Sequence, residues 1–343
     1  MKKISLIFLA AIVLGVLAWF IPWAYNFFAT SRDRAPFTLY SSVIGDFVTI
    51  EVNDKKEIYG TDTAGRKYSE EQVDSILPFF YTRQLVSDGR MPDTVAGVAV
   101  TPHEIQMTNI TYRLTPRDVN RVEVKLYPVL ESLSKRVDML MPEDMMRITD
   151  NGVEFIDEES NTVDRAKSDM FTKAMTDKGF TFPAKTLGGN PTTRKEYDEG
   201  WLIVDNAGKL FHLKMMVGRP YVRAIDMPEG VVPSLVNVTE FRSRRTLGFL
   251  YGNDNRFYVL MSDYTVMPTG VTNFDPSQSS ITIMGNMLDW TVRIDNDKQT
   301  DIYALDANDF SVLKHISSPV SSSQIAGLTF TSSSDRYVKP RFE

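Results

Sequence analysis

Between Lys3 and Arg32 the chain carries no lysine, arginine, aspartate or glutamate, and Ile4 to Phe28 is 25 residues of almost purely apolar and aromatic character. As a helix rising 1.5 Å per residue this run would be about 37 Å long, enough to cross a hydrocarbon core of about 30 Å with some tilt. Lys2 and Lys3 precede it, so the positive-inside tendency puts the N-terminus in the cytoplasm and the remainder outside. Trp19, Trp23 and Tyr25 are placed to anchor the outer interface, while Arg32 and Arg34 beyond it weaken the charge bias slightly. The rival reading is a cleaved signal peptide. Its apolar core is usually about 7 to 15 residues and ends at a small-x-small site, whereas this one is longer and runs into WFIPWAYNFF. An uncleaved anchor over residues 1–30 is the expectation, with Pro22 kinking the helix near its outer end or marking its exit into the headgroups.

The rest of the chain, residues 35–343, has no second apolar run of membrane length and must fold in water. Without Lys2 and Lys3 the chain has 36 basic against 44 acidic residues, a net charge of −8. No basic excess is available to replace phosphate counterions, which argues against nucleic acid as a partner. The absence of cysteine excludes disulfides, a thiol nucleophile, thiolate zinc, iron–sulfur ligation and a lipobox anchor. An acidic, cysteine-free body behind so short a basic start reads as bacterial and periplasmic: single-pass in the inner membrane, body in the periplasm.

The body repeats a short apolar strand, a turn rich in Asp, Asn and Gly, and a second short strand. FVTIEVNDKKEIYGTD (47–62), MMRITDNGVEFIDEE (145–159), WLIVDNAGKLFHLK (201–214), LGFLYGNDNRFYVLM (247–261) and WTVRIDNDKQTDIYALD (290–306) show it. Period-two apolar arms around such turns predict hairpins. The aromatic of the second arm recurs at Tyr59, Tyr112, Phe155, Phe211, Tyr258 and Tyr303, at intervals of 43 to 56 residues. One hairpin cannot bury its apolar face alone, but a radial array of four-stranded sheets at this period can. The fold expected is therefore mostly β, a β-propeller-like body of about six blades after the transmembrane helix. LTFTSSSDRYVKPRF (328–342) would close a blade begun near Phe37. The alternative is an irregular mostly-β two-domain or sandwich body. Helical insertions are expected near 69–86, with Ser69 and Gln72 as a capping box and Pro78 ending or kinking the helix, and near 163–178, ending before Gly179.

Motifs for chemistry are missing: no G-x-S-x-G elbow, phosphate loop or H-E-x-x-H site occurs. His103, His212 and His315 lie far apart and read as satisfied structural or surface histidines. Asp295, Asp297 and Asp301 lack the Gly and Glu positions of an EF-hand loop and read as turn residues. MLMPEDMM (139–146) reads as packing around a strand start rather than a soft-metal site. No catalytic, cofactor or metal residue is assigned, and an enzyme is the less favoured class.

Two polar stretches stand out as contact surfaces. FFYTRQLVSDGRMPD (79–93) sets Tyr81, Arg83, Arg90 and Asp93 beside aromatics, and FRSRRTLGF (241–249) concentrates Arg242, Arg244 and Arg245 in an acidic body. Tyr81, Arg83, Arg90, Arg242 and Arg244 are the candidate partner contacts, with Arg245 free to pair locally. The single span, the YSEEQVDSILPFFYTRQLVSDGRMPD stretch and the recurrent hairpins resemble an uncharacterised family of membrane-anchored bacterial proteins associated with ABC exporter components. That resemblance implies an accessory, scaffold or sensor role, with membrane lipid around residues 4–28 and an ABC permease or other membrane protein as partners. It carries over no site residues. A propeller-type hydrolase or lyase and a carbohydrate- or peptide-binding protein are the alternatives.

Overall fold

The computed structural model describes residues 2–29, 36–53, 56–121, 124–133, 137–320, 325–329 and 340–342. Arg32 and Arg34, expected to flank the span, lie outside them, as do residues 330–339 of the stretch expected to close a blade. Helix α1 (Lys2–Ala29) continues through Pro22. Its large apolar side chains are exposed, and among the described residues it is the one helix long and apolar enough to cross a membrane. Near its end the Asn26 amide pairs both ways with the Ile325 backbone: Nδ2 donates to the carbonyl at 3.0 Å, and the Ile325 N–H donates to Oδ1 at 2.9 Å. Pro22, one turn earlier on the same face, sits so close to Gly327 that a side chain there would collide with it.

The body opens with β1 (Phe37–Ser41), β2 (Asp46–Val52), β3 (Ile58–Asp62) and β4 (Lys67–Ser69), an antiparallel sheet in chain order. Helix α2 (Glu70–Ile76) comes at once after β4, the Gln72 side chain accepting the Ser69 N–H at 2.9 Å as a capping box requires. Pro78 lies in the break before α3 (Thr82–Ser87). A ribbon of β5 (Thr94–Val95) and β6 (Val98–Ala99), then α4 (Pro102–Thr108), leads to β7 (Ile110–Leu114) and α5 (Pro116–Asn120). β8 (Asp144–Ile148), β9 (Val153–Asp157) and β10 (Val163–Asp164) form a three-stranded sheet backed by α6 (Arg165–Asp177). Asp164 caps α6 through the Lys167 N–H, and Gly179 lies just past the helix at φ +83°, a conformation that favours glycine.

Two four-stranded sheets come next: β11 (Thr186–Gly189), β12 (Trp201–Val204), β13 (Leu210–Met216) and β14 (Arg219–Ile225), then β15 (Pro233–Val238), β16 (Thr246–Gly252), β17 (Phe257–Met261) and β18 (Val266–Pro268). β19 (Ser280–Gly285), β20 (Asp289–Asp295), β21 (Gln299–Asp306) and β22 (Val312–Pro319) take in β7 beside β19 to make five strands. β23 (Leu328–Thr329) pairs with β24 (Arg341–Phe342).

Alternation along the strands buries the central sheets on both faces. On β12, Trp201 and Ile203 face a cluster with Phe155, Phe171 and Phe211, whereas Leu202 and Val204 face one with Val236, Leu250 and Leu260. On β16, Phe249 and Tyr251 turn the other way, toward Ile283, Trp290 and Phe310. The sheets therefore pack in series through shared apolar layers.

The expected six-bladed propeller is not what these strands form. The sheets are open and unequal, of four, three, four, four and five strands with two-stranded ribbons besides, and no ladder among the described residues closes them into a ring. β1 is laddered to β2, and β23 to β24, so among the described residues the C-terminal stretch does not pair with the sheet begun at Phe37. The body is the alternative, irregular and mostly β. The physical reason is that hairpin signals are local while sheet association is not. All five hairpins form, and Tyr59, Phe211, Tyr258 and Tyr303 each sit on the third of four consecutive strands. Tyr112, however, lies on β7, paired with β19 far along the chain, and Phe155 lies in the middle of a three-stranded sheet.

Candidate functional site

Strand β20 starts abruptly because Asn286 builds the turn before it. Its Oδ1 accepts the backbone N–H groups of Leu288 at 2.7 Å and Asp289 at 3.0 Å, the local bonding that makes asparagine a turn residue. Asn286 Nδ2 also donates to Asp289 Oδ1 at 3.2 Å, and the hydroxyl of Ser42, in the β1–β2 turn, donates to Oδ2. Asp289 is thus held between two turns 247 residues apart and is 2% exposed. Burial pushes its carboxyl up to about 6, Asp306 adding to the rise and the Ser42 and Asn286 bonds opposing it.

Asp289 lines a cavity of about 120 Å³ between the end of β1, the 76–80 segment and the β19–β20 turn. Its walls include Leu39, Ile76, Phe79, Val95 and Met284, and Val43 and Phe80, 46% and 49% exposed, also line it. No Lys, Arg or His is among the described residues lining it. Tyr40 is there, its hydroxyl raised above its ordinary pKa by burial and then by the charge of Asp289. A smaller cavity of about 80 Å³, lined by Thr108, Ser243, Arg245, Met287 and Trp290 among others, shares Ile110 and Asn286 with the first. The two stretches singled out in the sequence therefore reach cavities that share Asn286: 79–93 gives Phe79 and Phe80 to one, and 241–249 gives Ser243 and Arg245 to the other.

The candidate contact residues themselves separate into two groups. Tyr81 is half-buried before α3, its ring edge-on to Phe80 at 5.0 Å, and burial raises its hydroxyl pKa. Arg90 turns back onto Asp88 at 2.7 Å and Asp74 at 2.8 Å, a local brace between α2 and the end of α3. Arg244, at φ +50° in the turn before β16, lies 4.0 Å from the centre of the Tyr197 ring. Arg245 does not pair locally: its guanidinium donates to the carbonyl of Asn308, 63 residues on, at 3.3 Å. Arg83 and Arg242 lie toward solvent, and Asp93 is exposed. Arg242 and Arg244 are on a turn rather than on opposite sides of a strand.

The histidines stay apart. His103 is exposed on α4, and His315 stacks on Tyr303 with 4.1 Å between ring centres and meets Asp301 at 3.0 Å. His212 is fully buried on β13, with Nε2 at 2.5 Å from the Glu199 carbonyl and Nδ1 at 2.9 Å from the Tyr264 hydroxyl. Among the described residues no group of three or more His, Asp or Glu could hold a metal ion. Asp295 is engaged by Arg293 and Thr300, and Asp301 by Gln299 and His315. Sequence reasoning passed over Asp289, Ser42 and Asn286. The only local signal was Asn286 three residues before an Asp that opens an apolar strand.

Residues 37–305 match the family described as Domain of unknown function (DUF4857). No curated protein matches the chain. Among solved structures it is similar to the Dos1 propeller at 11% identity and a TM-score of 0.32, covering 87% of this chain and 64% of that one. It is similar to the propeller domain of Myceliophteria thermophila Cps50 (Swd1) at 12% and 0.29, covering 62% and 61%. It is similar to PorZ, a surface component of the type-IX secretion system of Porphyromonas gingivalis, at 9% and 0.27, covering 87% and 34%. The chain thus spans under two thirds of each of these, and TM-scores this low assign no common fold.

Proposed function

The chain belongs to the family described as Domain of unknown function (DUF4857), and we propose that it is a membrane-tethered accessory protein that binds a partner group in the Asp289 cavity without transforming it. The observation that carries this reading is a carboxyl only 2% exposed that lines a mostly apolar cavity reaching solvent-exposed Val43 and Phe80. Concave apolar sites with a few placed polar groups are the usual form of binding sites. The hydrolase or lyase alternative assumed the central pocket of a propeller, which these open sheets do not form. In this reading α1 is a single uncleaved span of a bacterial inner membrane and the body lies in the periplasm. Tyr81, Arg83, Arg90, Arg242 and Arg244 belong to the surrounding contact face, where Arg83 and Arg242 offer charge to an acidic partner. The resemblance to exporter-associated proteins makes an ABC permease the partner of first choice.

The test is co-purification of the full chain with its cross-linked membrane partners. Val43→Trp fills the mouth of the cavity, and Val52→Trp, at an exposed position on β2, is the control. Recovery should fall about tenfold or more with the first and stay unchanged with the second. Equal recovery with both would overturn the reading.

A further inference from the structure

We propose that the Asp289 cavity receives a primary alkylammonium group, presented either as a lysine side chain or as a free amine. The inference rests on the binding reading above and names its ligand. Size is the first constraint. A cavity of about 150 Å³ holds the six heavy atoms of benzene, so one of about 120 Å³ suits about five, the size of a butylammonium chain.

Charge is the second. Asp289 is the one side chain with a formal charge at neutral pH among the described residues lining the cavity, and no cation there offsets it. In apolar surroundings a carboxylate attracts a cation far more strongly than in water, and a buried charge without a partner is costly. An incoming ammonium supplies that partner. A carboxylate has about four acceptor positions; Ser42 and Asn286 fill two, which leaves room for N–H donors from a ligand. The walls suit the rest of the group. Leu39, Ile76 and Met284 match methylenes, and Tyr40, Phe79 and Phe80 add aromatic rings to the lining. An anion is disfavoured by Asp289, and a neutral alcohol gains none of the ionic attraction.

The groups around Asp289 also set how binding depends on pH. Tyr40 faces it from β1, Ser42 from the β1–β2 turn, Asn286 from its own turn, and Asp306 from the paired position on β21. With the carboxyl near 6 in the unliganded chain, ionisation is about tenfold more complete at pH 7 than at pH 5, and an ammonium requires the ionised form.

Calorimetric titration of the full chain in lipid nanodiscs would use n-butylammonium, n-butanol, a short lysine peptide and its norleucine analogue. n-Butylammonium should bind at pH 7, about tenfold more weakly at pH 5, and n-butanol at least about tenfold more weakly at either pH. Asp289→Asn should lose about tenfold or more at pH 7, and Val43→Trp should lose binding. A lysine peptide that binds more tightly than n-butylammonium, with its norleucine analogue inactive, identifies a protein lysine as the source. Equal binding of peptide and amine identifies a free amine; both outcomes support the assignment. Butanol binding as well as butylammonium, or an unchanged Asp289→Asn, would overturn it. If no amine binds while Val43→Trp still abolishes partner capture, the ligand class falls and the binding reading stands. If partner capture survives Val43→Trp, the reading itself falls.

Discussion

Asp289 and His212 respond to pH in opposite directions. Burial pushes the Asp289 carboxyl up to about 6, whereas in the unfolded chain it is about 3.9. Between those values the folded chain holds a proton that the unfolded chain has released, so this group's contribution to stability falls as pH rises. Burial pushes His212 down to about 4, against about 6.5 when unfolded, with the Glu199 carbonyl bond opposing the shift. There the unfolded chain binds the extra proton, so that contribution is present above about pH 6.5 and is lost as pH falls toward 4. Over about pH 4 to 6 the two slopes, each at most about 1.4 kcal/mol per pH unit, offset one another. Asp289→Asn removes one of them. Denaturant unfolding of the full chain at about pH 4.5 and about pH 6 should show the variant gaining stability relative to the unsubstituted protein by about 1 to 2 kcal/mol as pH rises. Parallel pH profiles would mean that Asp289 is not protonated preferentially in the fold. Three scattered histidines offer no shared site, so each reads from the sequence as structural or surface, and nothing local marks His212 as the fully buried one. Nor could the sequence foretell Asp289, whose burial depends on Ser42 closing over it from 247 residues away.

Elements that depend on neighbours in the chain were legible, and those that depend on distant ones were not. Ser69 with Gln72, and Gly179 just past α6, act within a few residues and so leave a local signal in the sequence. The pairing of β7 with β19 has no local signal, because an apolar strand of five residues fits many edges. The same holds for the docking of 325–329 on α1. Asn26 serves the Ile325 amide as a neighbouring strand would, and Gly327 permits the close approach to Pro22. Asn26→Ala and Gly327→Val should each speed hydrogen exchange at the Ile325 amide while leaving the β7–β19 ladder protected. Unchanged exchange at Ile325 in both variants would show that the segment is held by something other than α1. A chain cleaved near Thr30 would lack this contact altogether.

At the scale of the whole molecule, the repeat in the sequence is a repeat of hairpins and not of closed architecture. Side chains such as Trp201 and Leu202 commit opposite faces of one strand to different neighbouring sheets, and the strand period alone does not say which sheets those are. The packed sheets bring the 79–93 and 241–249 stretches to two cavities that share the Asn286 turn, where neither charge pattern nor spacing placed them. The proposed molecule joins an uncleaved apolar span to a body that would hold a partner at one buried carboxyl. A photo-cross-linking residue at position 43 of the full chain, activated in intact cells, addresses both parts at once when the adduct is analysed by mass spectrometry. The expected result is an adduct between a membrane partner and a chain still carrying Ile4 to Phe28, strongly reduced by Asp289→Asn. An adduct indifferent to Asp289, or one formed by a soluble chain beginning near Thr30, would contradict it.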